Sequence, residues 1–153
     1  MRRKRIALLG STGSIGVQTL DVVAQHRDKF EVVWASTHTQ VELLKEQVER
    51  FSIPRALITD PSTYQKAKNT FTSPTKLGGI ENLEDLLVDE EVDVVLVAWV
   101  GFSGLDPVLK ALSVGKQVAL ANKEAMVVGG ELIQEILHKG VGTLIPIDSE
   151  HSA

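Results

Sequence analysis

The sequence predicts an α/β fold built on a doubly wound parallel sheet. Three observations support this: strand-like apolar runs alternate with segments of helical spacing along the whole chain, a glycine-rich turn follows the first strand, and polar groups follow several later strands. Repeated strand–helix alternation is typical of a parallel sheet that is covered by helices on both faces. In such sheets, ligands bind outside the carboxyl ends of the strands.

Length and composition indicate one globular domain. The chain has 153 residues, of which 43% are hydrophobic and 24% are charged, as in ordinary soluble domains. A net charge of −4 argues against nucleic acid as a partner, and no apolar run approaches the roughly 20 residues of a membrane helix. The basic lead-in Met1–Arg5 precedes an apolar run that is too short for a signal peptide, so we expect a cytoplasmic protein without membrane partners.

The first βα turn carries three glycines in the pattern G-x-x-G-x-x-G. The predicted strand Arg5–Leu9 leads into Gly10, which permits a tight turn, and Gly13 lets the backbone approach a phosphate without an intervening side chain. Gly16 allows the following helix, predicted over 15–26, to lie close to the sheet. The helix N-terminus attracts an anion, and hydroxyl groups can assist it, which favours dinucleotide binding over a purely structural turn. The hydroxyl groups belong to Ser11, Thr12 and Ser14.

The end of the second predicted strand, Glu31–Ser36, indicates which dinucleotide binds. In NAD-specific sheets an acidic residue at this point holds the ribose 2′-hydroxyl. Residues 35–40 contain no carboxylate, so we predict that NADP is preferred over NAD. The candidates for 2′-phosphate binding are Ser36, His38 and Gln40, although His38 is equally compatible with a plain polar loop.

The middle of the chain continues the alternation. Apolar spacing predicts a helix over 41–51, a short strand over 55–59, a helix that starts at Asp60–Pro61, and a further helix around 83–87. The polar segment Asn69–Gly79 is predicted to be the loosest part of the chain.

The second half supplies the remaining elements. A helix over 105–114 is predicted to be capped by Gly115, and a later helical segment is predicted to be interrupted at Gly129–Gly130. The continuous apolar run of the fourth strand is typical of a central strand that is buried on both faces. The fourth, fifth and sixth predicted strands are Val92–Val97, Gln117–Ala121 and Gly142–Ile147.

Polar groups follow the last two strands. Asn122, Lys123 and Glu124 place an amide, a cation and a carboxylate together, which suits either a site or a polar cap on the next helix. Asp148 and Glu150 point the same way in an extended chain and suit a hard cation such as Mg²⁺ or Mn²⁺. Acidic residues in a solvated segment are an equally good interpretation of this pair.

The chain resembles the family of 1-deoxy-D-xylulose 5-phosphate reductoisomerases in three blocks that occur in matching order: GSTGSIG, ALANKEAMVVGGELI and IPIDSEHSA. The resemblance implies an NADPH- and metal-dependent enzyme of the non-mevalonate isoprenoid pathway. Its substrate is a small sugar phosphate and its product is 2-C-methyl-D-erythritol 4-phosphate. Members of the family are generally homodimers.

The same resemblance implies roles for individual residues. The segment Gly10–Ile15 would cradle the NADPH phosphates, and Asn122 and Glu124 would lie along the nicotinamide half. Catalytic contacts with the substrate would come from Lys123 and Ser149. The metal ligands would be Asp148 and Glu150.

This chain departs from the family pattern in two places. After the second strand, members usually show a glycine, a basic or polar residue and an asparagine, where this chain has His38-Thr39-Gln40. Members are also more than twice as long. We therefore expect residues 1–147 to form the Rossmann-like NADPH-binding domain and residues 148–153 to begin a catalytic, metal-binding domain.

Two other functions fit parts of the sequence. The chain could be a dinucleotide-binding module without catalytic activity. It could also belong to another class of G-x-x-G-x-x-G reductase, such as the aspartate-semialdehyde or dihydrodipicolinate type. That class lacks the D-S-E run, and the semialdehyde enzymes need a cysteine, which this chain does not have.

Overall fold

The protein folds around one seven-stranded sheet in which every described pair of neighbouring strands is parallel. The computed structural model describes residues 2–72, 74–99, 105–121 and 123–147, with backbone alone for residues 105 and 123–128. The strands are β1 (Lys4–Leu9), β2 (Phe30–Thr37), β3 (Arg55–Ile58), β4 (Lys76–Gly78), β5 (Val94–Val97), β6 (Gln117–Leu120) and β7 (Thr143–Pro146). The helices are α1 (Ser14–Gln25), α2 (Val41–Phe51), α3 (Pro61–Ala67), α4 (Leu83–Val88), α5 (Leu105–Ser113) and α6 (Lys123–His138), and a 3₁₀ turn at Ile80–Asn82 precedes α4.

The strand order β4-β3-β2-β1-β5-β6-β7 makes the sheet doubly wound. The chain moves outwards from β1 to β4, returns to the centre, and then moves outwards again from β5 to β7. Buried residues of α1, α2 and α3 pack on one face of the sheet, and those of α4, α5 and α6 pack on the other. The predicted fold class is confirmed. Helices α1 and α5, which follow the neighbouring strands β1 and β5, lie on opposite faces of the sheet, so a crevice opens between these strand ends.

The central strands are covered on both faces, as their continuous apolar composition predicts. In β1, Ile6 and Leu8 pack with the first group of helices, while Ala7 and Leu9 pack with the second. Strand β5 alternates in the same way, with Leu96 on one face and Val95 and Val97 on the other. This burial anchors the strand ends from which the crevice is built.

Two elements differ from the predictions. The segment Asn69–Gly79 contains the edge strand β4, which pairs with β3 through Lys76–Gly78, so it is not simply a loose connection. Helix α6 runs without interruption through Gly129–Gly130. Two glycines cost a helix about 1 kcal/mol each relative to alanine. In α6 that cost is offset by tertiary packing, since Ile133 is fully buried against the core.

Gly115 caps helix α5, as predicted. Its φ of 88° lies in the left-handed region that favours glycine. The Gly115 N–H donates to the Leu112 carbonyl oxygen and the Lys116 N–H donates to that of Ala111, which is the Schellman arrangement. In the part of the chain that the structure describes, no helix is both long and apolar enough to cross a membrane.

Candidate functional site

A cleft of about 730 Å³ lies at the carboxyl ends of the central strands. Its walls come from the loops after β1, β2, β3 and β5, from the 3₁₀ turn and α4, and from the first turn of α5. The groups that follow β1, β2, β3 and β5 therefore meet at one cleft. The lining residues are Gly10, Thr12, Gly13, His38, Thr59, Ile80, Leu83, Ala98, Trp99, Asp106 and Pro107.

The glycine loop forms one wall of this cleft, and two of its glycines have different surroundings. Gly10 has a φ of 89°, which glycine adopts without strain, and a Cβ there would lie 2.9 Å from the indole Cδ1 of Trp99. At Gly13 the backbone is extended, and an added Cβ would meet only the Gly10 carbonyl oxygen, at 3.8 Å. Gly10 therefore makes the turn, whereas the space above Gly13 is open to the cleft.

Gly16 is enclosed by the loop itself. A Cβ on this residue would lie 2.2 Å from the Gly10 carbonyl oxygen and 2.5 Å from the Ser11 Cα. The first turn of α1 is thus pressed against the residues that follow β1. The first N–H groups of α1, which have no partner within the helix, therefore lie beside the glycine loop.

The end of β2 holds the glycine loop by hydrogen bonds. The Gly10 N–H donates to Ser36 Oγ at 2.9 Å, and the Ser11 N–H donates to the Ser36 carbonyl oxygen at 2.9 Å. The hydroxyl groups of Thr12 and Thr37 lie 2.7 Å apart. Ser11 and Ser36 are both fully buried, so their hydroxyl groups form hydrogen bonds within the protein.

The loop after β2 is polar. His38 Nδ1 lies 3.0 Å from Thr59 Oγ1, and the Gln40 N–H donates to Thr37 Oγ1 at 3.0 Å. The carboxylate of Asp60, just beyond β3, accepts hydrogen bonds from the N–H and hydroxyl of Thr63. Those bonds, with a smaller contribution from His38, hold the pKa of Asp60 below its usual value.

Several walls of the cleft were not among the predicted site residues. Thr59 follows β3 and Ala98 follows β5, so the strand-end rule alone could have identified both. Ile80 and Leu83 follow β4, a strand that the sequence pattern did not reveal. Asp106 and Pro107 lie in the first turn of α5 and come to the cleft only through packing.

The remaining predicted site residues lie towards β6 and β7. Lys123 and Glu124 form the first turn of α6, directly after β6, on the same edge of the sheet as the glycine loop. Asn122, Asp148, Ser149 and Glu150 lie outside the described residues. Within the described ranges, no group of three or more His, Cys, Asp or Glu side chains is suited to hold a metal ion.

Comparison with known proteins gives a consistent result across the chain. Residues 6–130 match the family described as 1-deoxy-D-xylulose 5-phosphate reductoisomerase. The enzyme of that name from Phocaeicola vulgatus is 40% identical over 153 residues, which cover 99% of this chain and 40% of the relative. The one from Geotalea uraniireducens is 42% identical over 152 residues, with 98% and 39% covered.

Solved structures give the same grouping. The reductoisomerase from Zymomonas mobilis in complex with NADPH has a TM-score of 0.87 and 34% identity over 98% of this chain and 40% of that one. A reductoisomerase complex with magnesium has a TM-score of 0.86 and 34% identity over 98% and 38%. A homoserine dehydrogenase from Thiobacillus denitrificans, with a TM-score of 0.62 and 20% identity, shares the fold alone.

The matches cover nearly all of this chain but less than half of each relative. The chain spans about two-fifths of the length of the curated relatives, and the shared part contains the glycine loop, the cleft and the start of α6. Identity of about 40% over nearly the whole chain agrees with the family match, the parallel sheet and the strand order. This chain belongs to the 1-deoxy-D-xylulose 5-phosphate reductoisomerase family.

Proposed function

We propose that this chain is the NADPH-binding part of an enzyme that converts 1-deoxy-D-xylulose 5-phosphate to 2-C-methyl-D-erythritol 4-phosphate. The observation that carries the proposal is the cleft that opens onto Gly13 at the N-terminus of α1. The related reductoisomerase from Zymomonas mobilis was solved in complex with NADPH, which supports the same cofactor for this family member.

The glycine loop suits a pyrophosphate group. Gly13 leaves open space where a phosphate oxygen would approach, and no acidic side chain lies in the first turn of α1. Because the residue that precedes the helix has no side chain, no side-chain cap competes with an anion for the first-turn N–H groups. The partial positive charge of the helix N-terminus favours the phosphate further.

The loop after β2 suits a ribose 2′-phosphate. The side chains of His38, Thr39 and Gln40 are all polar, and residues 35–40 carry no carboxylate that would repel a phosphate. Thr59 fixes one ring nitrogen of His38 by a hydrogen bond, which leaves the other ring nitrogen for a ligand. The buried residues Ser11 and Ser36 join this end of β2 to the glycine loop by hydrogen bonds, and so hold the two loops side by side.

The chemistry belongs to the edge near β6 and β7. When bound, NADPH supplies a hydride, and a divalent ion acts as a Lewis acid on carbonyl and hydroxyl oxygens. Asp148 and Glu150 are the oxygen ligands that Mg²⁺ or Mn²⁺ prefers, and we assign them to that ion. Lys123 and Ser149 contact the sugar phosphate, while Asn122 and Glu124 lie along the nicotinamide half.

The remaining features of the proposal concern the whole enzyme. Residues 1–147 form its NADPH-binding domain, and residues 148–153 open the catalytic domain. The full-length enzyme is a cytoplasmic homodimer. A dinucleotide-binding module without catalytic activity is the second candidate, because a cleft at the glycine loop suits either function.

Titration of the 153-residue chain with NADPH tests the cofactor assignment directly. We expect saturable binding, measured by calorimetry or by nicotinamide fluorescence, with an affinity that falls when Gly13 is replaced. Turnover in a full-length protein that carries this sequence separates the enzyme from the module. A chain that does not bind NADPH would contradict both candidates.

A further inference from the structure

Gln47 is a buried amide that reaches the glycine loop from a different helix. It lies on α2 and is 6% exposed. Its Nε2 donates to the Ser11 carbonyl oxygen at 2.9 Å, and its Oε1 accepts from Ser11 Oγ at 2.7 Å. Both ends of the amide are thus engaged by a single residue of the loop.

Gln47 lies on the buried face of α2. The buried residues of α2 are Leu44, Gln47 and Val48, so the amide occupies the face that packs into the core. A glutamine at such a position is costly unless its polar atoms are paired. Ser11 supplies that pairing.

The contact also determines the direction of one peptide group. In a trans peptide, the C=O and the N–H of the next residue point in opposite directions. Because Gln47 draws the Ser11 carbonyl into the protein interior, the N–H of Thr12 points the other way, towards the cleft that Thr12 lines. Among the hydrogen bonds between described residues outside the helices and strands, none has the Thr12 N–H as its donor.

We propose that Gln47 is a positioning residue for the cofactor: it fixes the Ser11–Thr12 peptide so that an N–H, and not a carbonyl oxygen, faces the pyrophosphate. The hydrogen bonds from Ser36 hold the N–H groups of Gly10 and Ser11, whereas the carbonyl of the Ser11–Thr12 peptide is held by Gln47. The inference rests on the proposed function, in that the loop is taken to bind a dinucleotide.

The first test compares two substitutions on α2 in the 153-residue chain. Gln47→Met keeps a long side chain but cannot donate or accept strongly, so it releases the Ser11 carbonyl. We expect NADPH to bind roughly tenfold more weakly, as is typical when one buried hydrogen-bonding group loses its partner. Val48→Ala, at a neighbouring buried position, is expected to lower the melting temperature and to change the NADPH affinity by less than about twofold.

Ser11→Ala separates the carbonyl from the hydroxyl group. It removes the hydroxyl that contacts Oε1 but keeps the carbonyl that accepts from Nε2. We therefore expect a smaller loss of affinity than with Gln47→Met. If Gln47→Met does not fold, Gln47→Leu takes its place, because a leucine side chain also cannot donate to the Ser11 carbonyl and the same loss is expected.

Amide hydrogen exchange gives a readout that needs no cofactor. The N–H groups of residues 10–16 are expected to exchange faster in Gln47→Met than in the parent chain, and to remain unchanged in Val48→Ala. Unchanged exchange together with unchanged NADPH affinity in Gln47→Met would overturn the positioning role. If the parent chain does not bind NADPH, the proposed function fails, while the exchange comparison still decides whether Gln47 orders the loop.

Discussion

A Cβ on Gly16 would lie 2.5 Å from the Cα of Ser11 and 2.2 Å from the Gly10 carbonyl oxygen. Real Cβ atoms do not come this close to backbone, so even a methyl group would push α1 away from the loop. Because α1 is also packed on the sheet through Leu20 and Val23, the helix cannot retreat without losing buried contacts.

Gly16→Ala should therefore destabilise the fold. We expect a loss of about 2–3 kcal/mol in the free energy of unfolding, the usual scale for overpacking a core, measured by urea denaturation. Gly130→Ala is the matched control, since an added Cβ there meets nothing within 4 Å. A Gly16→Ala chain as stable as its parent would show that the close approach is not required.

Gly13→Val should leave the fold intact and remove NADPH binding. The nearest atom to an added Cβ is 3.8 Å away and the backbone is extended, so the protein itself accommodates the side chain. A branched side chain would, however, occupy the space of the phosphate. Melting curves of the variant and its parent check that the fold is intact, and NADPH titrations of both check that binding is lost. Normal binding by the folded variant would mean that this loop is only a turn.

NADPH should bind at least about tenfold more tightly than NADH. The reason is the absence of a carboxylate at the end of β2, with His38 and Gln40 in its place. Direct titration with both cofactors measures the ratio, and equal affinities would contradict the assignment.

His38→Asp should reduce this preference, because a carboxylate repels the 2′-phosphate and can hold a ribose hydroxyl instead. Thr143→Asp adds the same charge at the amino end of β7, on the opposite edge of the sheet, and should leave the ratio unchanged. The readout is the ratio of the two dissociation constants. A similar loss in both variants would point to net charge and not to the loop.

Asp93 should make stability depend on acid pH. Partial burial raises the pKa of this carboxyl, but hydrogen bonds from the Arg5 N–H and from the Arg2 and Arg5 side chains outweigh that effect and lower the pKa from 3.8 to about 2. A lowered folded-state pKa contributes stability above pH 3.8 that is lost as the pH falls through about 2.

The measurement for Asp93 is the urea midpoint between pH 5 and pH 2. The parent chain should lose stability across this interval more steeply than Asp93→Asn, which has no carboxyl to titrate at this position. Asp93 precedes β5 at the amino edge of the sheet, away from the cleft, so NADPH affinity at neutral pH should be the same in both chains. Parallel pH curves for the two proteins would contradict the role of Asp93.

Asp148→Asn and Glu150→Gln should each spare NADPH affinity and remove activity in a full-length protein that carries this sequence. The cofactor is assigned to the ends of earlier strands, whereas the metal acts on the substrate carbonyl. Titration and turnover are measured on the same two variants. Near-normal turnover at ordinary metal concentration in either variant would exclude that residue as a ligand.

The sequence by itself determined the features that depend on neighbouring residues. The strand β1, the positive φ at Gly10 and the start of α1 follow from one short stretch, because turn geometry and helix initiation are local properties. The parallel class of the sheet also followed, since alternation of strands and helices leaves few other arrangements. The cap at Gly115 was predicted for the same local reason.

Only the tertiary structure decided the features that depend on distant residues. The pairing of β4 with β3, the continuity of α6 through its two glycines, and the walls of the cleft at Ile80 and Pro107 all require contacts that no local pattern encodes. The buried amide of Gln47 lies 36 positions from Ser11 along the chain. Its partner becomes visible only when β1 and α2 pack on the same sheet, because the free energy of burying a polar group depends on what the fold places beside it.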